Sequence, residues 1–164
     1  MLRHSLLAGT VGITLALGSM ALAQEPRSYK SVDVVAELAA VSNPAAAAYW
    51  GTLEQDLEAA IAARLGDRVG TEGTDIEIDI EEMELSSGFT EQMGLADTRL
   101  SGQVRLRDDE DRSAHETFNL TVDVNQVRPL LAPDVDLAAL QVDPKVFYDA
   151  MIAAYASAVV DRLP

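Results

Sequence analysis

Apolar residues recur along this chain at two different spacings, and the change between them marks out its elements. Leu53, Leu57, Ile61 and Leu65 repeat every four residues with Ala46 and Ala60 beside them, while Glu54, Asp56, Glu58 and Arg64 fall off that stripe. This is the pattern of an amphipathic helix with one buried face. Ser42-Asn43-Pro44 supplies its start, an N-cap residue with proline at the first helical position, and Gly66, Gly70 and Gly73 end it and open a turn. From Thr74 the period drops to two. Ile76, Ile78 and Ile80 alternate with Asp75, Glu77, Asp79 and Glu81, as in a strand buried on one side. Glu81-Glu82 followed by Met83 and Leu85 then shifts the parity by one residue, which predicts a bulge.

Two further strands follow. Leu100, Gly102, Val104 and Leu106 alternate with Arg99, Ser101, Gln103, Arg105 and Arg107, and Phe118, Leu120, Val122 and Val124 alternate with Thr117, Asn119, Thr121 and Asp123. A hairpin folded about residues 111 to 113 sets Arg107 opposite Thr117, Val104 opposite Leu120 and Gly102 opposite Val122, so that apolar meets apolar on one face. Folding the strand from Thr74 onto the one from Arg99 puts Asp75, Glu77 and Asp79 on the face of Arg105 and Arg107, a cross-strand charge ladder that requires no ligand. Upstream, Val32, Val34 and Ala36 alternate loosely within Ser31 to Leu38, a short strand or an extended lead-in. Asp143-Pro144 opens a second helix carrying Phe147, Met151, Ala154, Ala158 and Val159. The order predicts a two-layer α+β domain over residues 31–164. It consists of an antiparallel three- to four-stranded meander with two amphipathic helices packed on one face.

Residues 1–23 have a different character. Arg3 and His4 precede an apolar stretch from Leu6 to Leu17, and Ala21-Leu22-Ala23 gives the small-x-small pattern of a signal-peptidase site. The apolar centre is shorter than the ~20 residues of a membrane span. A cleavable signal peptide ending at Ala23 is predicted, then a flexible leader over 24–30, with a bacterial periplasmic destination and no membrane span after cleavage. Of 164 residues, removal of these 23 leaves 141, and loss of Arg3 takes the formal charge from −15 to −16.

Composition narrows the chemistry. Hydrophobic residues at 48% and charged residues at 24% describe a folded chain, and the absence of cysteine excludes disulfides, thiol catalysis, thiolate metal sites and a lipid-anchor cysteine. With 12 Lys+Arg against 27 Asp+Glu, nucleic acid is excluded as a partner, because phosphate binding needs clustered cations. Neither Gly66, Gly70 and Gly73 nor any other run spells a phosphate loop, and no hydrolase or metalloprotease motif occurs. His115, the one histidine left after cleavage, sits two residues from Ser113 in a hairpin, which suits a solvent-facing side chain better than a triad. The acidic turn Asp108 to Asp111 departs from the calcium-loop pattern, and Glu81, Glu82 and Glu84 crowd a strand end with few aromatics to stack a sugar. Tyr49 and Trp50 read as core or cap residues. No catalytic residue, metal ligand or cofactor is predicted.

The connection from Ser86 to Asp97 is longer than most hairpin loops and carries Phe89, Met93 and Leu95, which makes these three the candidate partner-binding residues. An exported leader, a helix written Leu53-x-x-x-Leu57-x-x-x-Ile61 and a following antiparallel meander resemble, in order of elements over residues 31 to 162, small α+β accessory proteins of the bacterial envelope. The LPS-assembly lipoprotein and curli-secretion accessory groups are examples. The chain shares no signature motif with them and lacks their lipidated cysteine, so the resemblance transfers no functional residue. It implies a non-catalytic assembly or binding role. Export, a well-patterned core and the lack of a catalytic residue set predict the same, a soluble periplasmic accessory or binding protein that engages an envelope protein through the 86–97 loop or an exposed sheet edge. The alternatives are a carboxylate- or cation-dependent periplasmic hydrolase, an acidic calcium-binding protein, or an acidic stress protein whose surface charge is itself the adaptation.

Overall fold

The computed structural model describes residues 27–36, 50–84, 99–111, 115–131 and 144–164. Among them are four strands, β1 (Tyr29–Ala36), β2 (Thr74–Glu84), β3 (Arg99–Arg107) and β4 (Glu116–Asp123). Three helices accompany them, α1 (Leu53–Leu65), α2 (Val124–Val127) and α3 (Pro144–Val160). One sheet holds the strands in the order β1-β2-β3-β4. No helix among the described residues is long and apolar enough to cross a membrane.

The α+β class follows the sequence pattern, but the all-antiparallel meander does not survive. β2, β3 and β4 are antiparallel neighbours, whereas β1 runs parallel to β2. Parallel neighbours need a crossover rather than a hairpin, and α1, which falls between β1 and β2 in sequence, lies in that crossover. The helix count rises to three for a local reason. Val124 does not end β4 but opens α2, where Asp123 accepts a hydrogen bond from the Asn125 N–H at 2.7 Å and Gln126 Oε1 accepts one from the Asp123 N–H at 2.7 Å. This reciprocal capping box turns the chain out of the sheet.

β1 begins at Tyr29, inside the stretch that the sequence assigns to a flexible leader. A register shift between Tyr29 and Ser31 makes Lys30 an extra residue, which returns Tyr29 to the face shared by Val32, Val34 and Ala36 and buries it. The Arg27 carbonyl accepts from Arg68 Nε at 3.2 Å, and those of Ser28 and Tyr29 accept from the N–H groups of Thr74 and Gly70 at 3.0 and 2.9 Å. Residues 27 to 30 are thus part of the folded domain. At the far end, the Pro164 carbonyl accepts from Arg68 and from the Tyr29 hydroxyl, so both ends of the described domain meet at one guanidinium.

The helical stripe Leu53, Leu57, Ile61, Leu65 is buried as its spacing requires. Residues 50–52, however, form a turn rather than continuing a helix from Pro44, with the Leu53 N–H bonded to the Trp50 carbonyl at 2.9 Å. The Ser42-Asn43-Pro44 start lies outside the described residues. α1 and α3 cover the same face of the sheet and pack on each other. Beneath them Ile76, Ile78, Ile80, Leu100, Val104, Leu106, Leu120 and Val122 are all buried, joined by Phe147, Met151, Tyr155 and Val159 from α3. Burial of each such side chain favours the fold by roughly 1.5–3 kcal/mol before entropy is subtracted.

The bulge expected in β2 is present: pairing passes from Ile80 opposite Gly102 to Glu82 opposite Ser101, leaving Glu81 unpaired. The β3–β4 hairpin, in contrast, is shifted by two residues from the register the sequence suggests. Arg105 rather than Arg107 faces Thr117, Val104 faces Phe118, and Gly102 faces Leu120. An even shift keeps every side chain on its expected face. At the start of the turn Asp108 accepts from the N–H groups of Glu110 and Asp111 at 3.0 Å each.

Candidate functional site

With both large helices on one side, the other side of the sheet presents polar side chains in rows that cross the strands. Ser31, Asp75 and Arg107 form one row. Asp33, Glu77, Arg105 and Thr117 form the next, and Val35, Asp79, Gln103 and Asn119 a third. The charge ladder read from the sequence is there, with its ion pairs running diagonally. Arg107 Nη1 lies 3.0 Å from Glu77 Oε1, and Arg105 Nη2 lies 3.8 Å from Asp79 Oδ2. Lys30, displaced by the β1 bulge, reaches Asp75 at 2.9 Å and Asp109 at 3.1 Å. Burial works to raise the Asp75 carboxyl, but hydrogen bonds from Lys30 and from Ser31 at 2.7 Å outweigh it and hold the group below its ordinary value. Toward β4 the face is neutral: Ser101 and Thr121 hydroxyls meet at 2.9 Å, and Gln103 Nε2 lies 3.4 Å from Asn119 Oδ1. A shallow cleft of about 330 Å³ between the acidic strands is lined by Asp33, Val35, Glu77, Ile78, Asp79 and Arg105. Val35 at its rim is 58% exposed.

Side chains close both edges of the sheet. At β1 the N–H groups of Val34 and Ala36 point away from β2 and donate to Glu58 Oε1 at 3.1 Å and Glu54 Oε1 at 2.8 Å. Val69 and Gly70 occupy the start of the same edge opposite Tyr29. At β4 the Asn119 carbonyl accepts from Arg162 Nη1 at 2.9 Å and the Thr121 carbonyl from Gln126 Nε2 at 3.2 Å. The sequence pattern places Glu54 and Glu58 off the buried stripe and marks them no further. Only the placement of β1 parallel to β2, with α1 running back beside it, gives them partners.

Of the acidic groups singled out from the sequence, Asp108 and Asp109 are directed to separate partners. Asp108 caps the turn and also accepts from Thr74 Oγ1 at 3.3 Å, and the backbone N–H groups of Asp111 and Glu110 hold its carboxyl below the ordinary range. Asp109 turns to Lys30. The exposed His115 donates from Nε2 to the Asp108 carbonyl at 2.9 Å, an orienting contact within the hairpin. Glu81 sits exposed at the bulge. Among the described residues no three His, Asp or Glu side chains are grouped so as to hold a metal ion. Trp50 is buried against Tyr148, ring centroids 5.2 Å apart, and so belongs to the core. The Tyr148 hydroxyl donates to Asp56 at 2.6 Å and, with Thr52 at 2.7 Å, keeps that carboxyl below its ordinary value. Phe89, Met93 and Leu95 lie outside the described residues, as do Ser113 and Tyr49. Compared with known proteins, the chain matches no family model, no curated protein and no solved structure.

Proposed function

We propose that this chain is a non-catalytic, exported binding or accessory protein of the bacterial periplasm, engaging an envelope protein through the uncovered face of its sheet and the 86–97 connection between β2 and β3. One observation carries the reading: among the described residues, four paired strands are roofed by helices on one side, and the opposite side offers polar side chains from Ser31 to Thr121 around the exposed Val35. Surfaces of this kind recognise partners by shape and by arrays of hydrogen bonds. The Arg3 start, the apolar run to Leu17 and the Ala21-Leu22-Ala23 exit support export. A formal charge of −15 directs the choice of partner away from acidic surfaces.

The experiment is crosslinking in the native envelope with the mature protein and two variants, Phe89→Ser with Met93→Ser in the connection, and Gln103→Arg with Thr121→Arg on the sheet face. A partner captured by the wild type and lost from either folded variant supports the reading and says which surface carries it. Capture that is indifferent to both variants removes both surfaces from the account.

A further inference from the structure

From the β1 edge we infer that Glu54 and Glu58 form an autoinhibitory pair that keeps this strand from pairing with β1 of a second copy of the chain. The inference goes beyond the proposed function, since it concerns the edge of the sheet and not its face. An outer strand presents unpaired N–H and C=O groups that template another strand, and natural sheets carry devices to prevent this. Here the device is a helix that imitates a strand. Four residues along α1 span about 6 Å, and two residues along β1 span about 6.6 Å. Two glutamates one turn apart therefore deliver carboxylate oxygens at the spacing at which an incoming strand would deliver carbonyls. The order is reversed, Glu58 to Val34 and Glu54 to Ala36, because the crossover helix runs back against its strand.

The second copy is specified by what the edge itself would allow. An antiparallel β1–β1 pair centred on Val34 sets Val34 opposite its own counterpart, Val32 opposite Ala36 and Asp33 opposite Val35, with no like-charge pair. In that register the N–H groups of Val34 and Ala36, the two that the glutamates hold, become ladder donors. The pair ends at Val32 and Ala36, short of Tyr29, where Gly70 already occupies the edge. The displaced carboxylates are the obstacle, since each must give up its backbone hydrogen bond before a strand can dock.

The mature protein and two double variants separate acceptor from charge. Glu54→Ala with Glu58→Ala removes both, whereas Glu54→Gln with Glu58→Gln removes the same charge and keeps a side-chain carbonyl at each position. Mass in solution by light scattering is expected to double, relative to wild type, for the alanine pair alone, with the Val34 and Ala36 amides still protected from hydrogen exchange in the doubled species. Equal mass for the wild type and the alanine pair overturns the inference. So does doubling of the glutamine pair, which would assign the effect to charge. Should the alanine pair fail to fold, Glu58→Ala alone frees the central Val34 donor and is read by the same two criteria.

Discussion

The hydroxyl of Tyr155 is wholly buried where α3 crosses β3, and it meets no hydrogen-bond partner among the described residues. Burial pushes its ionisation well above the ordinary phenol value of 10.0, with the Glu81 charge adding to the effect. The hydroxyl fits because residue 102 is glycine. A Cβ there would stand 2.9 Å from the Tyr155 oxygen and 2.6 Å from the Asp79 carbonyl, which is main chain and cannot turn aside. The aromatic ring is buried in the core, while the oxygen bears a desolvation cost of about 1–3 kcal/mol with no partner among the described residues to offset it. Tyr155→Phe keeps the ring and discards that cost. It is expected to stabilise the fold by about 1 kcal/mol, visible as a rise of roughly 2–4 °C in melting temperature. A fall in the melting temperature would mean that the hydroxyl is bonded in solution and that its burial is balanced.

At the scale of elements, the end of β4 shows how a four-residue signal redirects the chain. Asp123 and Gln126 satisfy each other's backbone and start α2, and the Gln126 amide then reaches back to the Thr121 carbonyl. Asp123→Ala removes the cap and leaves the Asn125 N–H without its acceptor. The expected loss is roughly 0.5–2 kcal/mol in urea unfolding, with faster hydrogen exchange confined to α2 and the end of β4. Exchange that rises across the whole sheet would instead show that α2 is integral to the core. The Ile76-Ile78-Ile80 alternation, the bulge at Glu81 and the Leu53-to-Leu65 stripe are legible in the sequence, because each depends on residues close together along the chain. Parallel pairing of β1 with β2 is not, since an alternating strand looks alike in either direction; only the helix written between them hints at a crossover. The two-residue slip in the β3–β4 hairpin leaves no trace in the alternation, because parity is blind to even shifts. Of the candidate site, the ladder of Glu77, Asp79, Arg105 and Arg107 is written in the strand pattern. The roles of Glu54 and Glu58 are not, because they depend on where β1 lies.

The whole molecule balances short-range pairing against long-range repulsion, and acid and salt separate the two. Asp56 is held below its ordinary value by hydrogen bonds from Tyr148 and Thr52, Asp108 by backbone N–H groups, and Asp75 by Lys30 and Ser31 against the pull of burial. These carboxyls bind fewer protons in the folded chain than in the unfolded one. Their contribution is therefore complete above the ordinary carboxylate range, near pH 4, and is lost as pH falls through their lowered values. Repulsion among 27 acidic residues opposed by 12 basic ones has the other sign and eases as the remaining carboxyls protonate. Melting temperature should accordingly rise on mild acidification from pH 7 as net negative charge falls, and drop steeply once the pH passes below the ordinary carboxylate range, at about pH 4, and on through the lowered values of the bonded aspartates. Salt isolates the repulsive part at constant protonation. The pairs at Arg107–Glu77, Arg105–Asp79 and Lys145–Asp149 are exposed, and pairs of that kind are worth no more than about 1 kcal/mol each. Raising ionic strength from about 0.01 M to about 0.15 M shortens the screening length from about 30 Å to about 8 Å, which removes repulsion across the molecule and leaves contacts near 3 Å much less affected. At pH 7 the melting temperature should then rise with salt, and near pH 4.3, where the charges of the sequence balance, it should barely respond. A melting temperature that falls with salt at pH 7 would show that the ion pairs of the sheet face outweigh the net charge, and would make the ladder, not the core, the feature most sensitive to the surrounding medium.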